Sequence, residues 1–274
     1  MTNSCPACQT FVHAAGTIEV CKVCGLGRTI GNQRGSAHQD HTLKSERERT
    51  ARRRYYSSIV PDLERVGPRG GSVLDVGCAD GLLTRMMRER GFRAAGIDDY
   101  KDLNTDIRGV VRARFEEYST DERFDLVMMI HAFEHFPDPR LALRRCRALL
   151  KPAGRLYLVV PNFGGSWSTV AKERWDWLNV EEHAFHYTRE ALQKLVEQNG
   201  FRVLDCVSRS PLGECPSLLT VHLVVSGAYE RWPLRLWPFG GVIYRAAEAL
   251  GPFVNWFVDR RGDGAEIRLT ARLK

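Results

Sequence analysis

Four thiols stand near the start of the chain in two pairs, Cys5 and Cys8 in CPAC and, twelve residues on, Cys21 and Cys24 in CKVC. A short turn lets both sulfurs of a pair point at one ion, and two such turns suit a tetrahedral Zn²⁺. With all four positions filled by protein, the zinc has no open site and its expected role is structural. Gly25 and Gly27 follow the second pair, where a backbone with positive φ is often needed. Two disulfides or fortuitous spacing are the alternatives. No leader segment precedes Cys5, and Cys78, Cys146, Cys206 and Cys215 show no pairing logic, so the expected setting is the reducing cytoplasm.

A second constellation lies about fifty residues further on, in VLDVGCADG from Val73 to Gly81. Without side chains at Gly77 and Gly81, backbone amides at the start of the next helix can approach a ligand closely. A pyrophosphate is the usual occupant of such a turn. Here Asp75 precedes it and Asp98 closes the next apolar run, where a carboxylate can grip ribose hydroxyls. Asp75 would repel a pyrophosphate but suits a cationic sulfonium ligand with a free amino group, and we place it in the cofactor-binding set.

These residues need elements to hold them. Residues 1–30 form the expected zinc module, 31–42 a polar linker, and about 43–66 a helix with Tyr55, Tyr56, Ile59, Val60 and Leu63 available to face inward. From Ser72 strands and helices alternate. SVLDVG, FRAAGIDDY, RGVVRARF, FDLVMMIHA and RLYLVVPN read as strands; LLTRMMRERG and PRLALRRCRALLKPAG read as helices, the first closed by Gly91 and the second by Pro152 and Gly154. This rhythm predicts an α/β, doubly wound, Rossmann-like sheet of seven strands with ligands at the carboxyl ends of its strands. The linker and basic helix span 31–66 and the catalytic domain 67–274, with a helical insert at 209–264.

The composition, 43% hydrophobic and 27% charged, is that of an ordinary globular protein, and no run reaches the ~18 apolar residues of a membrane span. The formal charge is +7, and Lys44 to Arg54 (KSERERTARRR) holds much of the excess. A solvated helix face is the plain reading of that run; a nucleic-acid or anionic-lipid contact is the sharper one.

From Ser72 to about Phe201, roughly half of the chain, the sequence resembles the class I S-adenosylmethionine-dependent methyltransferases. VLDVGCADG, GIDDY, FDLVMMIHAFEHFPDP, LLKPAGRLYLVVPN and EEHAFHYTREALQKLVEQNGF carry the resemblance. It implies that Gly77, Cys78, Ala79 and Gly81 surround the methionine part of the cofactor and that Asp98 binds its ribose. Phe115 and Glu116 would border the adenine, and His131 would end the fourth strand beside the cofactor. The chain departs from the family at Ala79, where a middle glycine is usual, and at Arg114, where an acid commonly contacts the adenine amino group.

EHFPDP and EEHAFHYT resemble the small-molecule branch, including sugar and natural-product methyltransferases that carry an amino-terminal zinc module. The resemblance implies that Glu182 and His183, with His186 beside them, form the catalytic set. A histidine can take a proton from a hydroxyl, or assist a carbon acid, near neutral pH. Capping of the next helix or filling of the pocket wall is the plain alternative for His183 and His186, and His135 reads as part of a rigid turn between prolines. The expected acceptor is a small molecule such as a sugar, a natural product or a lipid-linked intermediate.

Two other functions compete. A ribosomal RNA base methyltransferase would use the zinc module and Arg52–Arg53–Arg54 to hold phosphates, but nucleic acid is the less expected partner because EHFPDP and EEHAFHYT do not belong to that group. A binding protein would keep the cofactor fold only as scaffold. The insert carries Trp232, Trp237, Phe239, Tyr244, Phe253, Trp256 and Phe257 among Arg231, Arg235, Arg245, Arg260 and Arg261. Packing on the sheet or in a dimer interface is its plain reading; a lid over the acceptor, or a peripheral contact with an anionic membrane, is the functional one.

Overall fold

The computed structural model describes residues 4–8, 12–15, 17–31, 46–99, 109–211 and 240–274. The linker at 32–45, Cys215, Arg231, Trp232, Arg235, Trp237 and Phe239 lie outside the described residues, as do the side chains of Tyr244 and Arg245.

The larger of two sheets has seven described strands in the order β10-β11-β8-β7-β4-β5-β6. Its centre is β4 (Ser72–Val76), buried at every position, which pairs in parallel with β5 (Arg93–Asp98) on one side and β7 (Phe124–Ile130) on the other. β6 (Val110–Arg112) and β8 (Leu150–Pro161) extend the parallel part. Then β11 (Glu266–Leu273) inserts antiparallel between β8 and β10 (Phe201–Arg209). The chain therefore reverses its direction of travel across the sheet at β4, which opens a crevice at the carboxyl ends of β4, β5 and β7.

Helices cover both faces. α1 (Glu46–Val66) buries Tyr55, Ile59, Val60 and Leu63 against α2 (Leu82–Glu89), whose Leu82, Leu83, Met86 and Met87 complete that layer. α3 (Pro139–Leu149) starts on Asp138, whose Oδ1 accepts from the amides of Arg140 and Leu141 at 3.0 Å each, with Pro139 at the first helical position. It ends earlier than the sequence suggests. Leu150 is extended and already pairs with Phe124, because Pro152 disfavours helix at Lys151 while β7 alongside offers a ladder. The short α4 (Ser166–Ala171), α5 (Arg189–Gln198) and α6 (Gly240–Arg261) complete the described helices, none long and apolar enough to cross a membrane.

The second sheet joins the cysteine module to the histidine segment. β1 (Val12–Ala15), β2 (Ile18–Cys21) and β3 (Gly27–Thr29) form a meander, and β3 pairs antiparallel with β9 (Phe185–His186). Cys5, Ala7, Cys21 and Leu26 are buried in the same cluster as Phe133, Leu143, Tyr187 and Leu192. The cysteine module thus shares its core with the large sheet and holds the segment that bears His183 and His186.

Gly27 needs its missing side chain for room rather than for positive φ. It lies within β3, where a Cβ would sit 3.0 Å from that of His186 and 3.1 Å from Cγ2 of Ile18. Gly25 does adopt positive φ, at 71°.

Candidate active site

The turn after β4 is built from left-handed backbone. Gly77 has φ 77°, Gly81 has φ 70°, and Ala79 adopts φ 47°, the conformation that a glycine would take without strain. The amides of Gly77 and Cys78 donate to the carbonyl of Ile97, and Ala79 donates to Asp98 Oδ2 at 2.8 Å. The acid at the end of β5 therefore holds the turn. A Cβ on Gly77 would lie 2.6 Å from that of Ala132, so glycine lets the turn close against the loop after β7. Gly81 then leads into α2, giving a narrow cradle with an acid at its rim, which fits the polar ends of S-adenosylmethionine.

Asp75 is buried, and its Oδ2 accepts from the Thr84 hydroxyl on α2 at 2.9 Å. Burial raises its pKa to about 7. Among the described contacts Asp75 braces the turn against α2. Phe115 is buried edge-on against Phe136 with ring centroids 5.7 Å apart, and Glu116 lies 4.0 Å from Arg114.

Beyond the turn, the loop after β7 concentrates titratable groups. His131 has φ 51°, its ring lies edge-on to Trp177 at 5.1 Å, and its Nε2 meets the Tyr55 hydroxyl at 2.7 Å. That hydroxyl also donates to Glu266 Oε2 at 2.7 Å, and Glu134 Oε1 stands 3.4 Å from His131 Nδ1. Burial works against a charge on His131, yet the carboxylates of Glu134 and Glu266 raise its pKa to about 9. Glu134 is itself buried, which opposes ionisation, but His131 above all holds its carboxyl down to about 2.

His183 stands on the other side of Glu134, its Nε2 4.0 Å from Oε1, with the His135 ring edge-on at 4.8 Å. His135 Nδ1 lies 3.2 Å from the Glu182 carbonyl. Burial lowers His183 to about 4 and His186 to about 3. The Glu182 carboxylate accepts from Asn179 Nδ2 at 2.6 Å, and Glu134 Oε1 lies 4.0 Å from the His183 ring nitrogen. The structure thus gathers Glu182, His183 and His186 in one buried segment. It also adds Glu134 and Glu266, which the sequence reading did not name, and Tyr55, which it placed only on the inward face of the first helix. Glu134 had a local signal, three residues from His131 and inside EHFPDP; Glu266 had none, because only the antiparallel insertion of β11 brings it there. Glu134, His135 and His183 offer donor atoms within 4.8 Å of one another, a spacing open to a metal ion.

The cysteine module meets the requirements of a metal site more fully. One sulfur from each of Cys5, Cys8, Cys21 and Cys24 lies within 4.8 Å of the others, the Cys5 and Cys24 sulfurs are 3.7 Å apart, and none of the four forms a disulfide. Thr188 donates its hydroxyl to the Cys24 carbonyl at 2.7 Å and caps α5 by accepting from the Ala191 amide. Arg140 on α3 donates to the Pro6 carbonyl.

A family model described as a methyltransferase domain matches residues 48–205, which contain the turn, Asp98 and the histidine segment. The chain belongs to that family. Its domain is that of an S-adenosylmethionine-dependent methyltransferase. Among curated relatives, the ubiquinone biosynthesis O-methyltransferase of Pseudomonas fluorescens is 33% identical over 112 residues, covering 36% of this chain and 48% of the relative. The protein of that name from Xanthomonas axonopodis pv. citri is 34% identical over 110 residues, covering 36% and 46%. The chain thus spans about half the length of the curated relatives it matches. Solved structures share the fold. The methyltransferase bound to the Trm112 methyltransferase activator of Haloferax volcanii superposes with TM-score 0.58 at 18% identity, covering 83% of this chain and 93% of that one. An Archaeoglobus fulgidus methyltransferase gives 0.54 at 20% identity, covering 79% and 92%.

Proposed function

We propose that the protein transfers a methyl group from S-adenosylmethionine to an oxygen or carbon of a small-molecule acceptor, with His183 as the base. The cofactor supplies an activated methyl on a sulfonium; the protein aligns the acceptor and removes its proton. The observation that carries this reading is the His183–Glu134 pair. Burial holds His183 in its neutral form, which has a lone pair to accept a proton, and Glu134 4.0 Å away would offset part of the charge that results. Glu182 and His186 hold the same segment, Glu182 through Asn179 and His186 through the cysteine module.

Asp98, with Gly77, Cys78, Ala79 and Gly81, would hold the ribose and methionine ends of the cofactor, while Phe115 and Glu116 border its adenine. Asp75 and His131 would act from behind, Asp75 on the turn and His131 on Glu134. The four cysteines would hold a structural zinc. Leu250, Phe253, Trp256 and Phe257 are exposed on α6, with Arg260 stacked over Trp256 at 4.3 Å and Arg261 over Phe257 at 4.7 Å. That face supports a peripheral contact with an anionic lipid surface as part of the reading.

The relatives are named as O-methyltransferases of ubiquinone biosynthesis, which makes hydroxyl acceptors the first to try. Release of S-adenosylhomocysteine should be followed over a panel of catechols, phenols and sugars. Turnover on at least one, reduced in His183→Ala, is the expected outcome; equal turnover in the variant would remove His183 from the chemistry.

A further inference from the structure

The cysteine module does more than sit beside the histidine segment, and one residue of it reaches two histidines at once. Thr29, on β3 and 7% exposed, places its hydroxyl 2.7 Å from the His183 carbonyl and 2.9 Å from Nε2 of His186. A hydroxyl has one hydrogen to give. The carbonyl can only accept, so the hydrogen goes there, and the same oxygen can then only accept from His186. Nε2 of His186 must therefore carry a hydrogen.

We infer that Thr29 is a positioning residue, which fixes the backbone at His183 and holds His186 in the tautomer with hydrogen on Nε2 and the lone pair on Nδ1. The neutral form that burial imposes on His186 agrees, since a neutral imidazole has one N–H to place. Two further contacts and one close approach leave the arrangement little room to relax. The Thr29 amide donates to the Ala184 carbonyl at 3.1 Å, Gly27 pairs with His186 in the β3–β9 ladder, and a Cβ at Gly27 would press on the His186 side chain. The significance of His183 here rests on the proposed base role. The tautomer itself does not.

The consequence is that a module without a reacting group governs residues that have one. β3 follows the Cys21–Cys24 pair in the chain and carries Thr29, and Thr29 holds the His183 carbonyl and the His186 ring.

Nitrogen-15 histidine labelling of the full-length, zinc-loaded protein tests this, with His186→Gln used to assign the ring signals. The wild type should show His186 protonated on Nε2 across neutral pH, with that ring hydrogen protected from solvent exchange. Thr29→Ser, which keeps the hydroxyl, should preserve both features. Thr29→Val should lose the exchange protection. A His186 protonated on Nδ1 in the wild type, or a Thr29→Val spectrum with unchanged protection, would overturn the inference. If Thr29→Val does not fold, the wild-type tautomer and the Thr29→Ser spectrum still decide it. Failure of the base reading registers elsewhere, as full turnover in His183→Ala with the tautomer intact.

Discussion

The Glu134 carboxylate lies between two imidazoles that burial and charge drive in opposite directions, His131 to a pKa of about 9 and His183 to about 4. Their linkage to stability has opposite signs. His131 is protonated in the folded state well above its ordinary 6.5, so its contribution is complete below about pH 6.5 and is lost as pH rises toward 9. His183 and His186 resist protonation until about 4 and 3, so their contribution is complete above about pH 6.5 and is lost as pH falls. Thermal unfolding across pH should show maximum stability near neutrality, and His131→Gln should flatten the alkaline limb. An alkaline limb unchanged by that substitution would contradict the charged assignment. At the same scale, His183→Ala should lower kcat by about 10²- to 10⁴-fold with cofactor affinity nearly intact. Asp98→Ala should weaken S-adenosylmethionine binding by about 1–3 kcal/mol by calorimetry. Because Asp98 also holds the Ala79 amide, some of that loss belongs to the turn.

Periodicity and glycine placement make the parallel strands and the turn after β4 legible in the chain, since local backbone chemistry decides both. Val73 to Gly81 reads as strand then turn because its apolar run ends where φ must become positive. What joins distant segments is not legible in this way. The pairing of β3 with β9 links Gly27 to His186, the His183–Glu134 approach joins two loops, and Glu266 arrives from the far end of the chain. None of these leaves a periodic trace; each follows from tertiary packing. The β3–β9 ladder has its own test. Gly27→Ala should cost about 1–3 kcal/mol of stability, because the added methyl must displace His186 or Ile18. Denaturant titration measures it, and a neutral substitution would mean that the two strands are not packed as described. For α6, Trp256→Ser with Phe253→Ser should abolish sedimentation with phosphatidylglycerol vesicles while leaving cofactor binding unchanged. Sedimentation that persists in the double variant would assign any lipid contact to another surface.

Across the whole molecule, the crevice at the strand ends, the buried histidine segment and the cysteine-bearing meander are parts of one continuous core. The cysteine module is built into the proposed acceptor side rather than tethered to it, so Cys8→Ser should lose its zinc and lower the melting temperature of the whole protein. A variant that loses zinc with unchanged melting would make the module an independent unit. The central claim, methyl transfer to a small molecule through His183, has a more direct test. The protein is incubated with S-adenosylmethionine labelled in its methyl group and an extract of its own cells separated into small molecules, protein and RNA. Label should appear in the small-molecule fraction and be lost in His183→Ala; label confined to RNA, or small-molecule labelling that survives the substitution at full rate, would contradict the base role of His183 on a small acceptor.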